Sequence, residues 1–185
     1  MSAEGRPAPH HLSRGLDARP SGRPAGAAAT TLGPVRRLVA SSFGLGFIPR
    51  LLWKTDSGAG TFGAGLAAVI GLVLWANEAP WWVTLLLALA ATAASLWSAI
   101  PFAAGGKDPG WVCMDETAGT LLALVGLQGW PWALALVVAR LADIFKVLPG
   151  VHRAEALPGA LGVTADDLVA GVYGLAAGWL LAVLL

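Results

Sequence analysis

The apolar positions of this chain fall in runs separated by short polar breaks, and the lengths of those runs predict helices at membrane scale. Residues 61–76 are apolar and just long enough to cross a bilayer when flanking residues are recruited. Asn77, Glu78 and Pro80 mark a turn. Residues 81–103 form a second span, opened by the interfacial pair Trp81-Trp82 and ended near Gly105-Gly106-Lys107. A final apolar helix is expected over residues 168–185, opened by Asp166 and Asp167, where acids suit an N-terminus.

Between Glu116 and Arg140 the apolar pattern is interrupted by QGWPW, residues 128–132. A helix from Glu116 to Leu127 rises only about 18 Å. That is short of a hydrocarbon core of about 30 Å. Two half-length helices joined at Gly129-Trp130-Pro131 would make a re-entrant or buried hairpin. Its open ends, carrying Asp115/Glu116 and Arg140/Asp143/Lys146, would share one face. A single tilted span over 119–139 is the alternative, and it would strand those charges on opposite sides.

Ahead of the spans the pattern changes. Residues 1–34 are rich in Pro, Gly, Ala and Arg with no apolar period, and read as a disordered basic tail. Residues 35–53 are moderately apolar but broken by Gly44, Gly46 and Pro49, which fits an interfacial segment. SGAGTFGAG, residues 57–65, places glycines before a helix, where backbone N–H groups can cradle phosphate. Small residues in membrane helices also serve close packing. Residues 147–165 read as a polar loop; its His152 is expected to be solvated.

Composition sharpens this picture. Of 185 residues, 56% are hydrophobic and 12% charged, with a mean hydropathy of +0.68. Soluble domains carry about 25% charged residues. The nine Trp suit interfacial anchoring. The expected fold is therefore all-α: a small polytopic helical membrane protein with a re-entrant or buried hairpin and a disordered N-terminal tail. The net charge of +1 provides no global field for nucleic acid. The single Cys113 excludes an intrachain disulfide and a Cys-based zinc cage.

Against that apolar background the acids stand out. DPGWVCMDETAG, residues 108–119, holds Asp108, Asp115 and Glu116. ARLADIFK, residues 139–146, and TADDLVAG, residues 164–171, add Asp143, Asp166 and Asp167. A charge in an apolar setting costs several kcal/mol unless partnered. Carboxylate oxygens in such number suit a hard divalent cation, with Arg140 and Lys146 left to bind an anion. Arg140, Asp143 and Lys146, at i, i+3 and i+6, also fit a salt-bridged helix end. Capping accounts for one of Asp166 and Asp167; an adjacent pair exceeds that need, which assigns at least one to metal.

These clusters, in this order, resemble the phosphatidylglycerophosphatase A family over about residues 40–180. DPGWVCMDETAG is similar to its Asp-Glu motif, ARLADIFKVLP to its Arg-x-x-Asp-x-x-Lys-Pro segment, and ALGVTADDLVAG to its segment ending in paired aspartates. GAGTFGAGLAA is similar to its amino-terminal Gly-Thr-x-Gly loop. There are departures: Lys146 is followed by Val147, Leu148 and Pro149 rather than Pro-Trp-Pro, Pro158-Gly159 replaces Gly-Gly, and the amino-terminal loop lacks a proline. None removes a charged residue.

The resemblance implies a Mg²⁺-dependent phosphatase that converts phosphatidylglycerophosphate to phosphatidylglycerol, within a membrane-embedded domain over residues 35–185. The expected metal ligands are Asp115, Glu116, Asp143, Asp166 and Asp167, with Asp108 a weaker candidate. Asp115, Glu116, Asp143 and Asp167 are the expected catalytic carboxylates, and Arg140, Lys146 and Thr61 the phosphate contacts. The expected location is the bacterial cytoplasmic membrane, with the site facing the cytoplasm. The rival classes are a small ion-coupled transporter, which also uses intramembrane acids and broken helices, and a non-catalytic membrane scaffold.

Overall fold

The computed structural model describes residues 33–103 and 109–185. The basic tail expected over 1–34 lies outside the described residues, except for Gly33 and Pro34, which open the first helix; Asp108 also lies outside them. The described residues are helical, with no strand among them.

The interfacial segment comes first. Helix α1 (Gly33–Ala40) leads through a 3₁₀ turn, Leu45–Phe47, into the short α2 (Ile48–Trp53). The break between them is sharp: Ser42, Phe43 and Gly44 all have positive φ. Phe43, Leu51, Leu52 and Trp53 are exposed, the apolar face such a segment presents to lipid.

Among the described residues, three helices are long and apolar enough to cross a membrane: α3 (Ala59–Ala76), α4 (Trp81–Ala99) and α8 (Ala160–Leu184). Their large side chains point outward and their small ones inward. Val69, Val73, Leu86, Leu89, Leu180 and Val183 are exposed, while Gly63, Ala67, Ala88, Ser95, Gly171 and Gly174 are buried. In lipid there is no hydrophobic drive between helices, so close approach of small residues holds them together.

The hairpin forms, with a difference in its joint. Helix α5 (Met114–Ala123) and helix α6 (Gly129–Phe145) are separate. The turn lies over residues 124–128, with Gly126 at φ +70°. Gly129-Trp130-Pro131, expected to be the joint, instead begins α6. Proline is tolerated in a first turn because its missing N–H has no partner there anyway. The tip reaches the far end of the bundle. Trp179 donates from Nε1 to the Val125 carbonyl at 3.2 Å, and a Cβ on Gly126 would meet Trp179 at 2.9 Å and Trp81 at 3.5 Å. Helix α5 is the central element, packed against α3, α4, α6 and α8.

The segment before the last helix corrects the expected loop and helix start. Residues 147–165 contain a short helix, α7 (Val151–Glu155), and α8 begins at Ala160 rather than Leu168. Gly159, at φ +62°, turns the chain into α8. Asp166 and Asp167 therefore lie almost two turns inside a helix, where no free N–H groups need capping. The capping account of either aspartate fails, and both carboxylates are buried.

The α5–α8 crossing positions the site. A Cβ on Gly171 would stand 3.1 Å from the Gly119 carbonyl carbon, and one on Gly119 would stand 3.0 Å from the Asp167 Cβ. The two backbones touch, one turn beyond Asp115 on one helix and one turn beyond Asp167 on the other. A buried polar knot locks the same end. Thr117 Oγ1 donates to the Gly63 carbonyl at 3.0 Å and lies 2.7 Å from Ser42 Oγ, while Ser42 Oγ donates to the Cys113 carbonyl at 2.9 Å. Ser95 and Thr164 join α4 to α8 at 2.8 Å. Each buried bond of this kind contributes about 1 kcal/mol.

Candidate metal and phosphate site

One helix start, one helix end and the second turn of α8 bring the charged clusters together. Asp115 and Glu116 come from the first turn of α5, Arg140 and Asp143 from the last turns of α6, and Lys146 from its C-cap. Lys146 is left-handed, at φ +49°. That turn takes it off the α6 face it was expected to share with Arg140 and Asp143, and aims it at α7 and α8.

The carboxylates form two groups that share one member. Oxygens of Asp115, Glu116 and Asp167 lie within 4.8 Å of one another, as do those of Asp143, Asp166 and Asp167. Five expected ligands therefore converge, with Asp167 common to both groups. The cations are distributed unevenly. Arg140 Nη1 bonds Asp143 Oδ2 at 2.8 Å, so the local salt bridge and the site are the same structure. Lys146 Nζ bonds Asp166 Oδ2 and Glu155 Oε1, each at 2.8 Å.

This donor set fits a divalent cation. With Glu155, six carboxylates face two cations, leaving four carboxylates in excess. Glu116 Oε2 and Asp166 Oδ1 are buried without a hydrogen-bond partner, and an unpaired buried carboxylate oxygen is strongly unfavourable. All the donors are oxygen, the choice of Mg²⁺, Ca²⁺ and Mn²⁺ rather than of softer metals.

Two cavities open onto the cluster. One, of about 190 Å³, is lined by Asp115, Glu116, Asp143, Lys146, Asp166 and Asp167, with Glu155 and Gly159 at its rim. The other, of about 350 Å³, is lined by Gly58, Gly60, Thr61, Glu116, Arg140 and Ile144, with Asp56 and Gly110. Glu116 borders both. Gly60 makes this contact possible: a Cβ there would collide with the Glu116 carboxylate and stand 3.1 Å from Arg140 Nη2. Thr61 lines the same cavity as Arg140. The cradle of N–H groups around it is smaller than the glycine pattern implies, because the Ala59 and Thr61 N–H groups already donate to the Asp56 and Gly58 carbonyls.

The sequence did not single out Glu155 or Asp56. Glu155 lies in the stretch read as loop, yet it is an acid among few, spaced i, i+3 from His152, and the two side chains approach to 3.6 Å. Its hydrogen bond from Lys146 holds the Glu155 carboxyl below the usual range. Burial alone would lower the Lys146 ammonium; the bonds to Asp166 and Glu155 outweigh it and raise that pKa. His152 is exposed and outside the cavities, as expected. Cys113 is buried, and desolvation pushes its thiol up to about 11; it packs and is inert.

The family model described as phosphatidylglycerophosphatase A matches residues 38–182. The chain belongs to that family. A curated relative from Bacteroides thetaiotaomicron, described as "Putative phosphatidylinositol-3-phosphatase", is 36% identical over 145 residues, covering 74% of this chain and 86% of the relative. No solved structure matches the chain. The family and the relative make this protein a phosphatase that hydrolyses a phosphate monoester of a lipid.

Proposed function

We propose that the protein is a Mg²⁺-dependent phosphatidylglycerophosphatase, releasing phosphate from phosphatidylglycerophosphate at the cytoplasmic face of a bacterial inner membrane. The observation that carries this reading is the convergence of five carboxylates and two cations at one end of a membrane bundle, in a chain of this family.

The charge distribution supports the orientation. Every described Lys and Arg (Arg36, Arg37, Arg50, Lys54, Arg140, Lys146 and Arg153) lies at the site end, while the α3–α4 turn and the hairpin tip carry none. Positive residues stay inside. Trp75, Trp81, Trp82, Trp130 and Trp179 form the belt at the other interface.

Asp115, Glu116 and Asp167 would hold the ion, with Asp143 and Asp166 completing its surroundings. Mg²⁺, when bound, supplies Lewis-acid activation of the phosphoryl group and of water. The chain's own residues do the rest. Asp143, steadied by Arg140, is placed to accept a proton from the attacking water. Lys146 meets the incoming phosphate as a point charge, and Asp166 fixes its position. Arg140 offers its remaining N–H groups to phosphate oxygens, with Thr61 beside it. The helices surrounding α5 exclude bulk water, which strengthens each of these interactions.

Phosphorus NMR of purified protein with phosphatidylglycerophosphate and Mg²⁺ tests this reading. It predicts inorganic phosphate and phosphatidylglycerol in equal amounts. Faster release from phosphatidylinositol 3-phosphate would move the substrate toward that suggested by the relative's name. No release from either lipid would return the chain to the transporter and scaffold readings.

A further inference from the structure

The two cations expected to act as one phosphate clamp line different cavities. Lys146 belongs to the carboxylate cavity and Arg140 to the larger one beside α3. From this division we infer that the site grips two phosphates of one headgroup: the scissile monoester beside Lys146, and a second phosphate between Arg140 and Thr61. The inference rests on the phosphatidylglycerophosphatase reading above, whose substrate carries both a phosphodiester and a phosphomonoester, and it assigns Arg140 and Thr61 to the phosphodiester.

The larger cavity has the chemistry for a second, unreacting phosphate. Its carboxylates are otherwise occupied. Asp56 is held by Arg50 at 3.1 Å, and Glu116, whose Oε2 has no hydrogen-bond partner, would be taken up by the ion with Asp115 and Asp167. Arg140 uses Nη1 on Asp143, while Nη2, on the other limb of the fork, lies where a Cβ on Gly60 at the cavity wall would stand 3.1 Å from it. The Thr61 side chain lines the same wall. A guanidinium limb and a hydroxyl suit a phosphodiester, which carries one charge and offers two free oxygens. The smaller cavity concentrates the carboxylates that would hold the ion, where the bond must break.

Position relative to the membrane supports the same assignment. In such lipids the phosphodiester lies at the glycerol backbone and the monoester at the outer end of the headgroup. The Arg140 cavity is bordered by Ile144 and flanked by α2 and the end of α6, whose Leu51, Leu52, Trp53 and Phe145 are exposed. The carboxylate cavity is instead rimmed by Glu155, Leu157 and Gly159, from α7 and the turn into α8. A lipid approaching from the apolar flank presents its phosphodiester to Arg140 first and its monoester beyond Glu116.

Product inhibition separates the two subsites. Initial rates on phosphatidylglycerophosphate are measured with phosphatidylglycerol, which keeps only the diester, and with inorganic phosphate, which represents only the monoester. Arg140→Lys and Thr61→Val should each weaken inhibition by phosphatidylglycerol, for Arg140→Lys by about tenfold, with inhibition by inorganic phosphate unchanged. Lys146→Met should do the reverse. Thr61→Val guards against an Arg140 effect that arises only through Asp143. Equal weakening of both inhibitors by Arg140→Lys, or weakening of inorganic phosphate alone, would overturn the second subsite while leaving the phosphatase reading intact. Wild-type protein that releases no phosphate from the substrate would overturn both.

Discussion

Gly119→Ala adds one methyl group and removes no charge, and the fold makes it costly for catalysis. The new Cβ would stand 2.7 Å from the Asp167 carbonyl carbon and 3.0 Å from its Cβ. Carbon atoms rest at about 3.5–4.0 Å, so α8 must recede from α5 by roughly 1 Å. Overpacking of this kind destabilises by about 1–3 kcal/mol, which a bundle held by several helix contacts can tolerate. The site cannot, because the displaced residue is the carboxylate shared by both ligand groups. A misplacement of about 1 Å costs on the order of 10²-fold in rate. The assay is kcat/KM on phosphatidylglycerophosphate in mixed micelles, with a Mg²⁺ titration, on protein that elutes as wild type does and is fully folded at the assay temperature. The expected result is a loss of about 100-fold and a Mg²⁺ midpoint moved to higher concentration. Gly65→Ala, whose Cβ meets nothing within 4 Å, is the control and should keep the wild-type rate. A Gly119→Ala enzyme within about threefold of wild type in kcat/KM, with an unmoved Mg²⁺ midpoint, would refute the idea that the α5–α8 contact holds Asp167 in place.

Two further outcomes follow from the geometry. Thiol labelling in intact vesicles should place Ser57→Cys and His152→Cys on one face and Asn77→Cys on the other, with native Cys113 silent because it is buried; Ser57→Cys and His152→Cys on opposite faces would remove the hairpin. The Glu155–Lys146 tie has a defined pH window, since the Glu155 carboxyl lies below its ordinary value and the Lys146 ammonium above its own. Its stabilisation is therefore present above the unfolded carboxyl pKa of about 4.3 and below the unfolded ammonium pKa of about 10.4. It is lost as pH falls through the folded Glu155 value or rises through that of Lys146. At half exposure the pair contributes at most about 1 kcal/mol, so Glu155→Gln should lower the melting temperature slightly and evenly between those limits; a difference confined to acid pH would contradict the assignment.

The pattern of apolar runs carried most of the fold because run length and hairpin breaks are local properties. The spans, an interfacial segment broken by glycines including Gly44, and the two-helix hairpin could all be read from it; that the break begins at Ser42 and Phe43 could not. The turn was misplaced because Trp130 and Pro131 look like a break, whereas proline is at home in a first helical turn. The start of α8 was misplaced for a related reason. Asp166-Asp167 resembles a helix opening, but Pro158-Gly159 supplies the actual one, and no local signal says that two acids are buried in mid-helix for a shared purpose. The charged members of the site were legible because charge in an apolar chain needs a reason. Their division between two cavities was not, since it depends on the left-handed turn at Lys146 and on the Gly60 approach to Glu116, both set by tertiary contacts.

The central claim is that Asp115, Glu116 and Asp167 hold the ion on which phosphate release depends. The most direct measurement is the initial rate of phosphate release from phosphatidylglycerophosphate as Mg²⁺ is restored to chelator-treated protein, for wild type beside Asp167→Asn. Wild type should lose its activity with chelator and recover it along a saturating Mg²⁺ curve. Asp167→Asn, folded in detergent, should show almost no recovery at any Mg²⁺ concentration, because both carboxylate groups lose their common member. Wild-type turnover that survives chelation, or an Asp167→Asn enzyme that recovers along the wild-type curve, would contradict the account.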